Sequence, residues 1–147
     1  MQRVTRSVHI TAPPEQVWAV LEDVRLLPEL SPGTVEVVAP ERLSAVGETF
    51  EQTVELAGRR FTSTWTVLEI EPLRRLVIEG SVLPGTRYRL TEELEAEDGG
   101  TRLSVTMEYR LPFGPVGRLV GRLGAERRAL EEAAQVLEGV RRVVGAA

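Results

Sequence analysis

The chain contains no cysteine, which excludes disulfides, thiolate nucleophiles and cysteine-bound metals. Its one histidine, His9, is too few for a histidine metal site or a catalytic triad, so neither a metal nor a cofactor is expected. Lysine and asparagine are also absent. All 18 basic side chains are therefore arginine, set against 22 acidic ones for a formal net charge of −4. That balance argues against a nucleic-acid partner, because such binding rests on excess positive charge. No apolar run approaches the ~18 residues of a membrane span. The opening Met1-Gln2-Arg3-Val4-Thr5-Arg6 lacks the apolar core of a secretion signal, so a cytoplasmic protein without stable membrane insertion is expected. Glycine-rich phosphate loops, nucleophile elbows and metal-ligand spacings are missing too, which leaves phosphoryl transfer, serine hydrolysis and metal catalysis without support.

What is present suits one hydrophobic core: 147 residues, 42% hydrophobic and 27% charged, reading as a single domain over 1–147. The longest periodic stretch is the last. From Pro115 to Val144, helical spacing aligns Val116, Leu119, Val120, Leu123, Leu130, Ala134, Leu137, Val140 and Val144 on one side. Such a helix is roughly 45 Å long at about 1.5 Å per residue, and its partner must be a wide surface such as a sheet. Gly117, Gly121 and Gly124 thin its first half, and empty space beneath them is the working expectation.

Upstream, Arg3 to Thr11 alternates as a strand, and Ala12-Pro13-Pro14-Glu15 opens a short helix buried through Val17, Trp18, Val20, Leu21 and Val24. Leu26, Leu27, Pro28 and Leu30 form a second apolar knot before Ser31-Pro32-Gly33. Period-two patterning then places strands near 34–40, 47–56, 60–71, 74–82, 86–96 and 101–111, joined by hairpin signals such as Ala57-Gly58 and Asp98-Gly99-Gly100. The expected fold is α+β, a curved antiparallel sheet of about seven strands wrapped around a long C-terminal helix, with two short helices after the first strand.

The run Ser7-Val8-His9-Ile10-Thr11-Ala12-Pro13-Pro14-Glu15-Gln16-Val17-Trp18 resembles the opening of the polyketide cyclase/dehydrase family, within the START-like, pollen-allergen-like superfamily. Glu22-Asp23-Val24-Arg25-Leu26-Leu27-Pro28-Glu29, Val67 to Leu76 and Gly99-Gly100-Thr101-Arg102-Leu103 extend the resemblance over roughly 3 to 144. Relatives often carry tryptophan after the Pro-Glu of the second short helix, where this chain has Leu30. The resemblance implies a helix-grip fold and a hydrophobic ligand, with aromatase/cyclases and lipid or quinone binders among the members. An arginine with hydroxyl residues in the pocket, which it implies for the cyclases, is not assigned to particular residues of this sequence.

On the inner face, alternation supplies Phe50, Gln52, Val54 and Leu56, then Tyr88, Leu90, Glu92 and Leu94, then Leu103, Val105, Met107, Tyr109 and Leu111. For strand 60–71 the inner set is either Phe61, Ser63, Trp65 and Val67 or Thr62, Thr64, Thr66, Leu68 and Ile70. The Trp65 set is favoured, with a bulge near Glu69 able to switch it. Glu92 among apolar neighbours is a candidate general acid with a raised pKa, unless the strand twists and it reaches water or an arginine. Glu126 and Arg127 interrupt the helix stripe, and either project into a pocket or are turned to the surface by a kink at Gly121 to Gly124. Tyr88 and Tyr109 are either phenolic donors or core. Gln52 and Ser63 are candidates for holding water or a polar ligand edge. His9 should face outward, and Trp18 and Trp65 read as core. The expected activity is binding of a small hydrophobic molecule, aromatic, polyketide-like or lipid-like, by a monomer or homodimer. Lining residues would be Phe50, Gln52, Val54, Ser63, Trp65, Leu90, Met107, Tyr109, Phe113, Leu27, Leu30, Leu119 and Leu123, with the mouth near Leu26 and Leu83. The alternatives are a cyclase/dehydratase using Glu92, Glu126 or Tyr88 for proton transfer, and a protein-interaction module without a ligand.

Overall fold

The computed structural model describes the backbone of residues 2–31, 33–81, 85–110 and 115–146, and side chains over the same ranges except 115–126 and 146. The chain runs β1 (Gln2–Ile10), α1 (Pro14–Glu22), a 3-10 turn (Val24–Leu26), α2 (Leu27–Leu30), β2 (Thr34–Val38), β3 (Thr49–Leu56), β4 (Arg59–Glu71), β5 (Arg75–Gly80), β6 (Arg87–Glu97), β7 (Gly100–Arg110) and α3 (Pro115–Ala146). All strand pairs are antiparallel, in the order β1-β7-β6-β5-β4-β3-β2. A continuous meander thus receives the first strand beside the last, and the long helix closes the helix-grip arrangement. β2 stops at Val38, two residues short of the expected end, because Pro40 has no N–H to give the ladder.

Alternation fixes the two faces of the sheet. Along β7, Leu103, Val105, Met107 and Tyr109 are buried, while Arg102, Ser104, Thr106 and Glu108 between them are half-covered. On β4 the set with Ser63, Trp65 and Val67 points inward. The pairing then slips between Val67 and Glu69, so that Ile70, opposite Leu76, joins the same face. Both the favoured alternation and the switch near Glu69 are therefore present. Trp65 stacks on Phe50 with ring centroids 6.4 Å apart and planes 12° off parallel. Its cross-strand partner is Gly80, where a Cβ would fall 2.7 Å from the indole ring. Leu56, expected inward, is 41% exposed because it sits at the hairpin tip beyond the core. There Ala57 and Gly58 both take positive φ, the mirror-image turn that matches strand twist.

The helices cover this face. Val17, Trp18, Val20 and Leu21 of α1 join Phe50, Trp65, Leu76, Leu103 and Val105 of the sheet and Leu137, Val140 and Val144 of α3 in one buried cluster. Thr101 fastens the corner between β1 and α1 by donating its hydroxyl to the Ala12 carbonyl at 2.7 Å. In the described part of α3 the buried line is Ala129, Ala133, Leu137, Val140 and Val144. Leu130 and Ala134, which apolar spacing favoured, are only half-buried. Proximity decides the difference: α3 packs on β1, β7, α1 and α2, and in such a narrow gap an alanine methyl fits where a leucine does not. The tightest point is Gly139, where a Cβ would lie 2.7 Å from the Leu30 carbonyl oxygen and 2.8 Å from its Cα. Beside it the Arg142 guanidinium donates to the Glu29 carbonyl, and that of Arg141 donates to the His9 carbonyl at 3.1 Å. Gly117, Gly121 and Gly124, expected to mark empty space, lie outside the described side chains.

This seam predicts opposite results for two helical glycines. Gly139→Ala should lose about 1–2 kcal/mol by overpacking, although alanine is the better helix former by ~1 kcal/mol. Gly145→Ala, with nothing within 4 Å of its Cβ, should gain a fraction of that propensity. Urea unfolding of both variants measures the contrast, and a stable Gly139→Ala protein would refute the tight α2–α3 contact.

Candidate functional site

Two adjacent glutamates on β6 meet opposite fates. Glu93 points outward and pairs with Arg75 at 3.0 Å, whereas Glu92 points inward between Leu76 of β5 and Val105 of β7, its cross-strand partners. Both of those neighbours are buried, Leu90 and Leu94 flank Glu92 along the strand, and Glu92 itself is 7% exposed. Among the described residues nothing hydrogen-bonds or ion-pairs with it. Burial alone pushes its pKa up to about 8. At neutral pH the group is therefore mostly a protonated acid, a hydrogen-bond donor rather than a charge. The twist that would have led Glu92 to water or an arginine does not occur.

Farther along β6, Tyr88 faces Tyr109 of β7 with ring centroids 6.4 Å apart and planes tilted by 32°. Val4, Met107 and Ala129 are buried beside them, with Leu90 and Leu130 packed at the margin. α3 brings a second carboxylate to this end. Burial raises the Tyr88 hydroxyl pKa, and the negative charge of Glu132 raises it further, against a smaller opposing effect of Arg128. Glu132 is half-buried and burial raises its pKa as well, with Arg128 again opposing. Apolar spacing did not mark Glu132, because it keyed on Leu130 and Ala134. The signal was the pair Ala129 and Ala133, which places position 132 on the adjoining inward line.

Of the other candidates, Gln52 is buried with its amide engaged on both sides. It donates to the Thr34 hydroxyl at 2.7 Å and accepts from the Trp65 indole N–H at 2.9 Å. Ser63 leans toward the Gln52 carbonyl at 3.4 Å. These groups brace the wall formed by β2, β3 and β4. Phe50 and Trp65 are core, Val54 is half-buried near the end of β3, and Leu27 is half-buried against the core that Leu30 enters. Arg127 does not project inward: it is 84% exposed and pairs with Glu131 one turn on. His9 lies on the outward side of β1 and pairs with Glu97, which also holds Arg102. Glu126, Leu83, Phe113, Leu119 and Leu123 lie outside the described residues or side chains. The described structure thus places a neutral acid on the apolar inner face of β6 and, where Tyr88 four residues earlier on that strand meets Tyr109 of β7, a pair of phenols near a second carboxylate on α3.

Comparison with known proteins places this geometry. A family model described as polyketide cyclase/dehydrase and lipid transport matches residues 1–145. The structure is similar to that of TTHA0849 from Thermus thermophilus, with a TM-score of 0.80 and 22% identity over 99% of this chain and 98% of that one. It is also similar to the Zhui aromatase/cyclase from Streptomyces sp. R1128, with a TM-score of 0.80 and 20% identity over 98% and 93% of the two chains. In sequence, Toxin Rv0910 of Mycobacterium tuberculosis is 24% identical over 125 residues, 82% of this chain and 85% of that protein.

Glu92 dictates a pH dependence. Its carboxyl holds a proton in the folded state up to about pH 8, whereas in the unfolded chain it releases that proton near pH 4.3. Between those values the folded state binds more protons, so this contribution is complete below about pH 4 and is lost as pH rises toward 8. The loss has a ceiling of roughly 4–5 kcal/mol. Glu92→Gln should remove the slope, leaving the variant more stable than wild type at pH 8.5 relative to pH 5. Guanidinium unfolding across that range measures it, and parallel curves for the two proteins would show that Glu92 is solvated.

Proposed function

The chain belongs to the polyketide cyclase/dehydrase and lipid transport family, and from that premise we propose that it binds a small hydrophobic molecule between the inner face of the sheet and α3. The ligand is aromatic, polyketide-like or lipid-like, with Leu90, Met107, Tyr88 and Tyr109 offering apolar surface and Glu92 a single directed hydrogen bond. Membership and fold support a hydrophobic-ligand or cyclase role. The observation that carries the binding reading is Glu92: an inward-facing acid, 7% exposed, with no partner among the described residues. An internal acid without a partner costs stability, and a ligand carbonyl or hydroxyl would offset that cost by accepting its proton. A cytoplasmic location and a monomeric or homodimeric state belong to the same proposal.

One observation favours a catalytic variant of this reading. An acid that is neutral at pH 7 beside an apolar wall is what protonation of a ketone oxygen or a departing hydroxyl requires. The aromatase/cyclase of the same fold gives a precedent for ketide chemistry on such a scaffold. Here Glu92 would deliver the proton and Tyr88 would hold a second oxygen of the substrate.

Two experiments test these readings. Prodan, a neutral naphthyl ketone whose fluorescence shifts in apolar surroundings, should bind saturably. Glu92→Leu should weaken it about tenfold by removing the donor, and Glu92→Gln much less. Absence of saturable binding, together with no small molecule released on denaturing the purified protein, would overturn the proposal. For catalysis, Glu92→Gln should slow turnover of a ketide mimic by about a hundredfold or more with binding retained. An unchanged rate would remove Glu92 from the chemistry.

A further inference from the structure

We infer that this site discriminates by ligand charge: it accepts neutral and cationic molecules and rejects anions such as a fatty-acid carboxylate. The inference rests on the binding reading above and narrows it. Among the described residues, the titratable groups brought to the inner space are all acids: Glu92 on β6, Glu132 on α3 and the phenols of Tyr88 and Tyr109. The arginines of β5, β6 and β7 take the opposite side of the alternation. Arg75 is tied to Glu69 and Glu93, Arg87 and Arg89 to Glu79, and Arg102 to Glu97. On α3, Arg127 pairs with Glu131 at the surface, and Arg141 and Arg142 are spent on carbonyls of β1 and α2. Arg128, exposed one turn before Glu132, is the described cation whose charge is felt at Tyr88 and Glu132, and there it offsets the glutamate's own charge.

Charge and solvation then act in one direction. An anionic ligand would leave water for an apolar wall where, among the described residues, Arg128 is the cation in reach, and Glu132 already opposes its charge, so the ligand gains little to compensate its desolvation. A neutral ketone keeps its size and apolar contacts and accepts the Glu92 proton. An ammonium ligand takes that proton's place electrostatically, pairing with ionised Glu92 or Glu132. The selectivity is thus an exclusion built from acids facing inward while arginines face out, the kind of unfavourable pairing on which specificity often depends.

Displacement of bound prodan at pH 7 by three probes with the same ring system tests this: acetylnaphthalene, naphthoate and naphthylmethylamine. Naphthoate should be about thirtyfold weaker than the ketone, roughly what an uncompensated charge at a half-buried carboxylate imposes, and the amine should match or exceed the ketone. In Glu132→Gln, with folding verified by circular dichroism, the affinity of naphthoate relative to the ketone should rise about tenfold. Naphthoate within threefold of the ketone on the wild-type protein would overturn the inference while leaving the binding proposal intact. Failure of prodan itself to bind would instead strike the binding proposal and this inference together.

Discussion

An antiparallel sheet with one apolar face cannot stand in water alone, and everything else in this chain follows from how that face is covered. The C-terminal part of α3 and α1 seal one part of it through a contact line on which Ala129, Ala133 and Gly139 alternate with Leu137, Val140 and Val144. Gly139 against Leu30 is the extreme case, and it fixes the height of the roof. With that height set at one end, α3 lies against β1 and β7, where Ala129 packs with Val4, Met107 and Tyr109, and Leu130, Tyr88 and Leu90 border them. Burial here is worth roughly 25 cal/mol per Å² of apolar area. The seam therefore stabilises the fold and, in the same act, determines which side chains confront one another across the interior.

The charged residues divide along the same boundary. Outside, arginines and glutamates alternate along adjacent strands and pair across them, as Glu79 does with Arg87 and Arg89, or Glu97 with Arg102 and His9. Exposed pairs of this kind contribute little each, typically under about 1 kcal/mol, and they keep the open face polar and soluble. Inside, Glu92 has no such partner among the described residues and holds its proton instead. The ion-pair network and the protonated carboxyl thus lie on opposite faces of the same strand, one residue apart. Substitutions outside should change solubility and local order, while a substitution at 92 alters the chemistry of the interior.

Family membership gives the scaffold but does not distinguish its occupants, since the matched segments are turns, caps and core positions. The features particular to this chain are the inward acids and the braced wall, where Gln52 joins Thr34 to Trp65 and the bulge after Val67 brings Ile70 onto the inner face. The brace makes the β2–β4 side rigid. Among the described residues, the inward carboxyl groups lie on β6 and α3.

The order of elements, the sheet's two faces and the inward placement of Glu92, Trp65 and the Leu103–Tyr109 series were legible in the sequence. Alternation and helical spacing are local patterns, imposed by the geometry of strand and helix on any chain that must bury one side. Tertiary structure decided the rest. Which residues of α3 touch its neighbours depended on the distance between elements, so Ala129 and Ala133 are buried where Leu130 and Ala134 are half-buried, and Glu132 is half-buried with them. Whether Gln52 was free, whether Arg127 faced the interior and which partner Glu92 found were likewise questions about groups far apart in the chain. The sequence by itself determined the pattern of burial, because hydrophobicity is a property of each residue. The pairing of polar groups was settled only by the packed structure, because a hydrogen bond or ion pair depends on where the other partner comes to rest.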